Sequence, residues 1–130
     1  MRKQISFAIN YDKLNQKTFC TLRGFSWMEE TFRFPTIIKI KRQVIGYAQV
    51  LCRKLVNVSE LPLEFLQYDV SPFVIKRKGD FYDYVNNLRN DRAIPIGVIE
   101  GEWQAEMTLI YLTWMSKLKK LDYWMLEMLS

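Results

Sequence analysis

Two adjoining runs constrain this chain more than any other feature. Residues 36–42, TIIKIKR, set Ile38 and Ile40 against Lys39 and Lys41 with a period of two, and residues 44–58 continue as a long β-branched stretch broken only by Gly46. A period of two sends alternate side chains to opposite faces of a sheet. The two runs therefore predict a hairpin that turns through Arg42-Gln43. Gly46 inside the second strand marks a bulge or a close backbone approach, a device that small curved barrels need.

Other segments repeat these signals. Residues 4–9 alternate Ile5, Phe7 and Ile9 with Gln4, Ser6 and Ala8, a half-buried strand, and residues 11–16 form a turn. Residues 19–23 are a second strand ended by Gly24, with Phe19, Thr21 and Arg23 on one face and Cys20 and Leu22 on the other, so that the thiol points to a core. Residues 25–35 read as a loop with packed aromatics, closed by Pro35.

Ser59 predicts the N-cap of a short helix, with Pro62 in its first turn and Leu61, Phe65 and Leu66 as the apolar stripe. A second helix opens at Gly79-Asp80, with Asp80 capping and Phe81, Tyr84, Val85 and Leu88 at helical spacing. After turn signals at Pro95, Gly97 and Gly101, residues 106–114 read as a buried strand, and a terminal helix follows. In that helix Trp114, Leu118, Leu121, Met125 and Met128 step by 4, 3, 4 and 3 to form a seam, while Tyr123, Trp124, Leu126 and Leu129 lie off it. Apolar surface beyond one packing face points to homodimerisation through residues 115–129.

With 130 residues, one domain is expected. No apolar run approaches the roughly 20 residues of a membrane span. Asn10 and Asp12 interrupt the start where a signal peptide needs an apolar stretch, so the expectation is a soluble cytoplasmic protein with no membrane partner. The chain has two cysteines and no histidine, which argues against a metal, a cofactor or a disulfide. Mechanisms with a histidine base are excluded, so any catalysis must run on Lys, Asp, Glu, Tyr, Thr or Cys. Charge is unevenly spread. Residues 1–57 hold eleven Lys and Arg against three acids, a net of +8, and the remainder sums to −3. Such asymmetry gives one surface a field that attracts phosphates, although solvated lysines on an outer sheet face produce the same count.

The order of elements, the segment Lys17-Thr18-Phe19-Cys20-Thr21-Leu22-Arg23, the strand Ile45-Gly46-Tyr47-Ala48-Gln49-Val50, and Leu61, Phe65, Tyr68 and Asp69 in the first helix resemble the ASCH domain, a family of PUA-like folds. The resemblance covers about residues 5–114. It implies an α+β fold, a small PUA-like β-barrel of about five to six strands with rim helices. Residues 1–114 then form the ASCH/PUA-like domain, and residues 115–130 a C-terminal helical extension packing on it or on a partner. It further implies binding of RNA or a nucleotide-like ligand, or, as in some bacterial relatives, amidohydrolysis of acylated, N4-acetylcytidine-like nucleosides by a Lys, a Thr and a Glu.

By position, Thr21 matches the family's Thr, Asp69 falls at the place of its Glu, and Lys17 is the nearest match to its Lys. The Lys-to-Thr spacing is four here rather than three, and Asp is one methylene shorter than Glu. Two accounts of these residues stand side by side. A desolvated Lys17 takes a proton from Thr21 or water while Asp69 positions the substrate, or Lys17 and Asp69 form an ordinary ion pair and Thr21 is a strand residue. Arg23 is the leading candidate for ligand contact, since guanidinium binds phosphate bidentately. Its alternative is a surface salt bridge to Glu29 or Glu30. Lys39, Lys41 and Arg42 extend the cationic track, Lys76, Arg77 and Lys78 form its other bank, and Trp27 and Trp103 are candidates to stack on bases.

Overall fold

The computed structural model describes residues 1–88, 97–99, 102–104 and 106–117. The expected terminal helix beyond Lys117 lies outside the described residues. The chain opens with strand β1 (Arg2–Phe7), a 3-10 turn (Asp12–Asn15), β2 (Thr18–Gly24) and a second 3-10 turn (Phe25–Glu29). Strands β3 (Phe32–Ile40) and β4 (Gln43–Asn57) follow, then a short 3-10 turn (Val58–Glu60), helix α1 (Leu63–Val70) and helix α2 (Lys78–Leu88). The small strands β5 (Gly97–Ile99) and β6 (Glu102–Gln104) pair with each other, and β7 (Glu106–Lys117) ends the described chain.

Five strands form one mixed sheet in the order β1-β3-β4-β7-β2, curled into a half-barrel, with two helices beside it. Among the described strands only β1 and β3 run parallel. The inside of the curl is filled by Ile5, Phe7, Phe19, Ile38, Ile40, Ile110 and Leu112, all essentially inaccessible. The outer side of β2 and β7 is covered by the helices, where Leu22, Met107 and Leu109 pack on Leu66, Val70, Phe81, Tyr82 and Val85. Burial on both faces explains why β7 reads as a continuous apolar run rather than an alternating one.

Several boundaries differ from the sequence reading, each for a local reason. The hairpin turns through Lys41 and Arg42, one residue earlier than expected, with Ile40 paired to Gln43 and Lys41 held at φ 54. Helix α1 begins at Leu63, not at Ser59. Leu61 precedes a proline and is extended at φ −84, ψ 137, because the proline ring disfavours helical backbone in the preceding residue. Ser59 instead donates its amide and its hydroxyl to Asn57 Oδ1, at 3.0 and 2.9 Å, within the short 3-10 turn.

Helix α2 starts at Lys78, and Asp80 in its first turn reaches back to accept from the amides of Lys76 (2.9 Å) and Arg77 (3.1 Å). Those bonds to the charged form hold its carboxyl below the usual carboxylate range. Strand β7 does not give way to a helix at Met115. Ladder pairing of Gly46 with Lys117 and Tyr47 with Ser116 carries it on, a tertiary contact that outweighs the local helical spacing.

At Gly46 β4 passes close against β7, and its φ of 157 lies at the edge of the region that favours glycine. A Cβ there would sit 2.9 Å from both Lys117 Cα and Trp114 Cζ3, and nearer still to the Ser116 carbonyl oxygen. Backbone cannot yield as a flexible side chain can. Gly46→Ala is expected to destabilise the fold by about 2–3 kcal/mol in urea unfolding; a loss below about 0.5 kcal/mol would show that the strands separate freely.

Candidate functional site

In the sheet order β1 and β2 are the outermost strands, and among the described residues their outer edges have no ladder partner. Lys13, Thr21, Arg23 and Asp69, all buried, gather along the seam between those edges. On the β2 edge, Leu22 N donates to Asp69 Oδ1 at 3.3 Å and Cys20 N donates to the Tyr68 hydroxyl at 3.4 Å, both acceptors coming from α1. Alternate strand residues turn their amides away from β7, and the helix satisfies them. Tyr68 in turn donates to Gln16 Oε1 at 3.2 Å.

Asp69 is balanced by Lys13 of the first 3-10 turn, whose Nζ donates to Oδ1 at 2.6 Å. The lysine side chain is 2% exposed and that of the aspartate 9%. Aromatic faces surround the ammonium, with the Phe7 and Tyr11 ring centres 5.5 and 5.6 Å away. Burying two ions costs several kcal/mol each, so close contact and added hydrogen bonds are required for the pair to persist.

Beside the pair lies a cavity of about 20 Å³, room for one water, lined among others by Lys13, Thr21, Asp69, Tyr11 and Tyr84. The hydroxyls of Tyr11 and Tyr84 meet at 2.8 Å, and Phe73 stacks on Tyr84 with ring centres 4.4 Å apart. Arg23, 2% exposed, crosses the other part of the seam. Its NH2 group donates to the Ser6 carbonyl of β1 at 3.0 Å and its Nε to Thr21 Oγ1 at 3.3 Å. The guanidinium also lies over the Phe7 and Trp27 rings, at 4.8 and 5.2 Å. Nearby, burial and the Asp69 charge push the Cys20 thiol up, and Lys13 partly opposes them.

The sequence-derived candidates fall into three groups. Thr21, Arg23 and Asp69 converge at the seam. Lys17 does not: it is exposed ahead of β2, its carbonyl accepts from Trp114 N at 2.9 Å, and the lysine paired with Asp69 is Lys13. The expected Lys17–Asp69 ion pair is therefore replaced by Lys13–Asp69. Arg23 makes no surface bridge to Glu30, whose Oε1 is taken by Arg2 at 2.9 Å. Trp27 is core, 4% exposed beneath the Arg2 guanidinium at 3.8 Å, which leaves no free face for a base. The Trp103 side chain lies outside the described residues.

Lys41 and Arg42 are exposed at the β3–β4 turn, and Lys39 is half-buried in β3. Lys76, Arg77 and Lys78 do not face them. Lys78 Nζ donates to the Ser59 carbonyl at 2.7 Å, just past the far end of β4, so this cluster belongs to the opposite end of the sheet. The sequence reading places Tyr84 in a helix stripe and Tyr11 and Lys13 in a turn, and assigns none of them to the site. Nothing in DKLN distinguishes a buried lysine from a solvated one except the flanking Tyr11 and Leu14, both of which turn inward.

Among the described residues no group of three or more Cys, Asp or Glu side chains is placed to hold a metal ion, and no helix is long and apolar enough to cross a membrane. No family model, curated protein or solved structure matches this chain.

Removing one member of the pair exposes its chemistry. Lys13→Met leaves Asp69 buried without its cation and is expected to cost about 3–5 kcal/mol in urea unfolding. Adding Asp69→Asn, which keeps an acceptor for Leu22 N while removing the charge, should recover part of that loss. Strict additivity of the two substitutions would mean that the pair is uncoupled.

Proposed function

We propose that the chain is an ASCH domain of the PUA-like kind that binds RNA or a nucleotide-like ligand. The observation carrying this reading is a gathering of cations at one end of the half-barrel. Pairing register sets the end of β1 and β3, the turn between β3 and β4, the start of β2 and the end of β7 at the same end of the sheet. Exposed Lys17, Lys41, Arg42 and Lys117 therefore share it, with Asp12 the acid on the neighbouring turn. Four strand termini supply the charges, so the patch is a property of the fold rather than of one basic run. Lys117 also bonds to the Leu14 carbonyl and Asn15 Oδ1, which ties it to the turn that carries Lys13.

Phosphate binding by such a patch releases counterions, and its affinity falls with salt. For a single-stranded RNA oligonucleotide, the double variant Lys41→Ala/Arg42→Ala is expected to lower the slope of log affinity against log salt by about 1–2, near 0.7 for each phosphate no longer neutralised. The double variant Lys76→Ala/Arg77→Ala at the far end should leave the slope unchanged. Salt-independent binding, or equal losses from both pairs, would sink the reading.

A second reading, an amidohydrolase for acylated nucleosides, is favoured by the water-sized cavity between Lys13, Thr21 and Asp69. In the ion-paired form Lys13 is a donor able to polarise an amide carbonyl, and Asp69 is an acceptor able to take the proton of water or of the Thr21 hydroxyl. Incubation with N4-acetylcytidine tests it. Acetate release that is lost in Thr21→Val, with an unchanged circular dichroism spectrum, and retained in Lys17→Ala is the expected result; absence of turnover in the wild type retires the idea.

A further inference from the structure

The ladder between β3 and β4 ends at Thr36 paired with Ala48, yet β4 continues from Gln49 to Asn57 with β7 as its one ladder partner among the described residues. The first residues of β3 diverge from it. The Thr36 hydroxyl holds the bend by donating to the Arg33 carbonyl at 2.7 Å. Between this arm and β4 lies a groove of about 620 Å³, with Phe32, Arg33, Phe34 and Thr36 on one wall and residues 49–53 on the other. One face of a strand presents only alternate residues, so a wall of five consecutive ones means that the groove follows the edge of β4. Along such an edge alternate residues on either side of the bulge at Leu51, where the pairing with β7 skips from Val50 to Cys52, turn N–H and C=O away from β7, the arrangement that receives one more strand.

We propose that this groove takes an extended peptide segment of a partner protein, added to β4 as a strand, with acidic side chains alternating with apolar ones. Arg33 is exposed and makes no side-chain hydrogen bond or ion pair among the described residues, so its guanidinium is available to a carboxylate. Arg53 adds a fixed positive charge. Its NH1 donates to the Trp27 carbonyl at 2.8 Å and to the Glu30 carbonyl, and its guanidinium lies 5.3 Å from the Phe32 ring centre. No carboxylate among the described residues lines the groove. Phe34 and Leu51, 63% and 51% exposed, offer the apolar contacts. A second copy of this chain fits poorly, since it would set an edge bearing Arg53 and Lys54 against itself. A nucleic-acid strand would meet the arginines but leave the backbone edge unused, and it is the rival outcome of the test. The proposal is independent of RNA binding at the basic end.

The experiment titrates a capped, fluorescein-labelled Val-Glu-Val-Glu-Val-Glu peptide into the full chain, read by anisotropy and by amide hydrogen exchange. Saturable binding that slows exchange within residues 49–53 is expected, with Arg33→Glu weakening it by at least about tenfold. Two further peptides are N-methylated at alternate residues, one in each phase. A strand docked on one edge must lose affinity by at least about tenfold in one phase only, because successive amides point to opposite sides. Equal affinity in both phases, equal binding of the Val-Lys counterpart, absence of binding, or displacement of the peptide by a uridine dodecamer would each overturn the proposal. None of these results bears on the salt slope set by Lys41 and Arg42, so the two readings fail separately.

Discussion

A sheet that curls without closing must satisfy the polar groups along its two free edges, and on β2 that requirement falls on Asp69. The amide of Leu22 faces the edge, and Asp69 Oδ1 accepts from it. Placing a carboxylate there fixes α1 against β2, and Tyr68 one residue earlier takes the amide of Cys20 in the same way. A buried carboxylate then calls for a cation, which the turn after β1 supplies as Lys13. One edge amide thus links strand, helix and turn. The ion pair by itself is weak grounds for stability, since desolvation opposes its attraction. Its structural effect lies in the elements that it holds in register.

Across the same seam, Arg23 does for β1 what Asp69 does for β2. Direct pairing of the two edges would bring the strands to about 4.8 Å. An arginine side chain reaching from β2 to the Ser6 carbonyl spans more than that, so the edges stay apart while the carbonyl is still satisfied. Phe7, beneath both Lys13 and Arg23, supplies a ring face to each cation inside an otherwise apolar curl. Arg23, which spans the edges, and Lys13 and Asp69, which line the cavity, are joined through Thr21, which bonds to Arg23 and faces the cavity, so the seam and the site share one polar group.

Most strands were legible because a period of two survives wherever one face of the sheet is dry. The 36–42 and 44–58 runs became β3 and β4 with their turn displaced by one residue, and residues 19–23 split their faces between the two cores as the alternation requires. The failures have particular causes. Leu61 is kept out of a helix by the proline that follows it, and Met115 is kept in a strand by the pairing of β7 with β4, whose Tyr47 and Ser116 are partners far apart in the chain. The site was legible at Thr21, Arg23 and Asp69 but not at Lys13. A strand position carries information about which way a side chain points, whereas a lysine in an irregular turn carries none until the rest of the fold surrounds it.

The charge count of the first half also changes meaning once the side chains are placed. Arg2 is engaged by Glu30, Lys13 by Asp69, Arg23 by Ser6, and Arg53 by the Trp27 and Glu30 carbonyls. Those four cations are held in place by the fold, but only Arg2 and Lys13 are neutralised by a carboxylate, and Arg23 and Arg53 keep their charge while bonded to carbonyls. Of the other seven, Lys3 and Lys39 lie along β1 and β3, while the topology divides the rest: Lys17, Lys41 and Arg42 at the end shared with Lys117, and Arg33 and Lys54 beside the open edge of β4. The count of +8 therefore covers two smaller surfaces of different geometry rather than one. The first is made of exposed side chains at strand ends and can attract an extended anion without specifying its shape. The second flanks a row of backbone groups interrupted by the bulge at Leu51, and a ligand there must match that spacing before charge contributes to its selection.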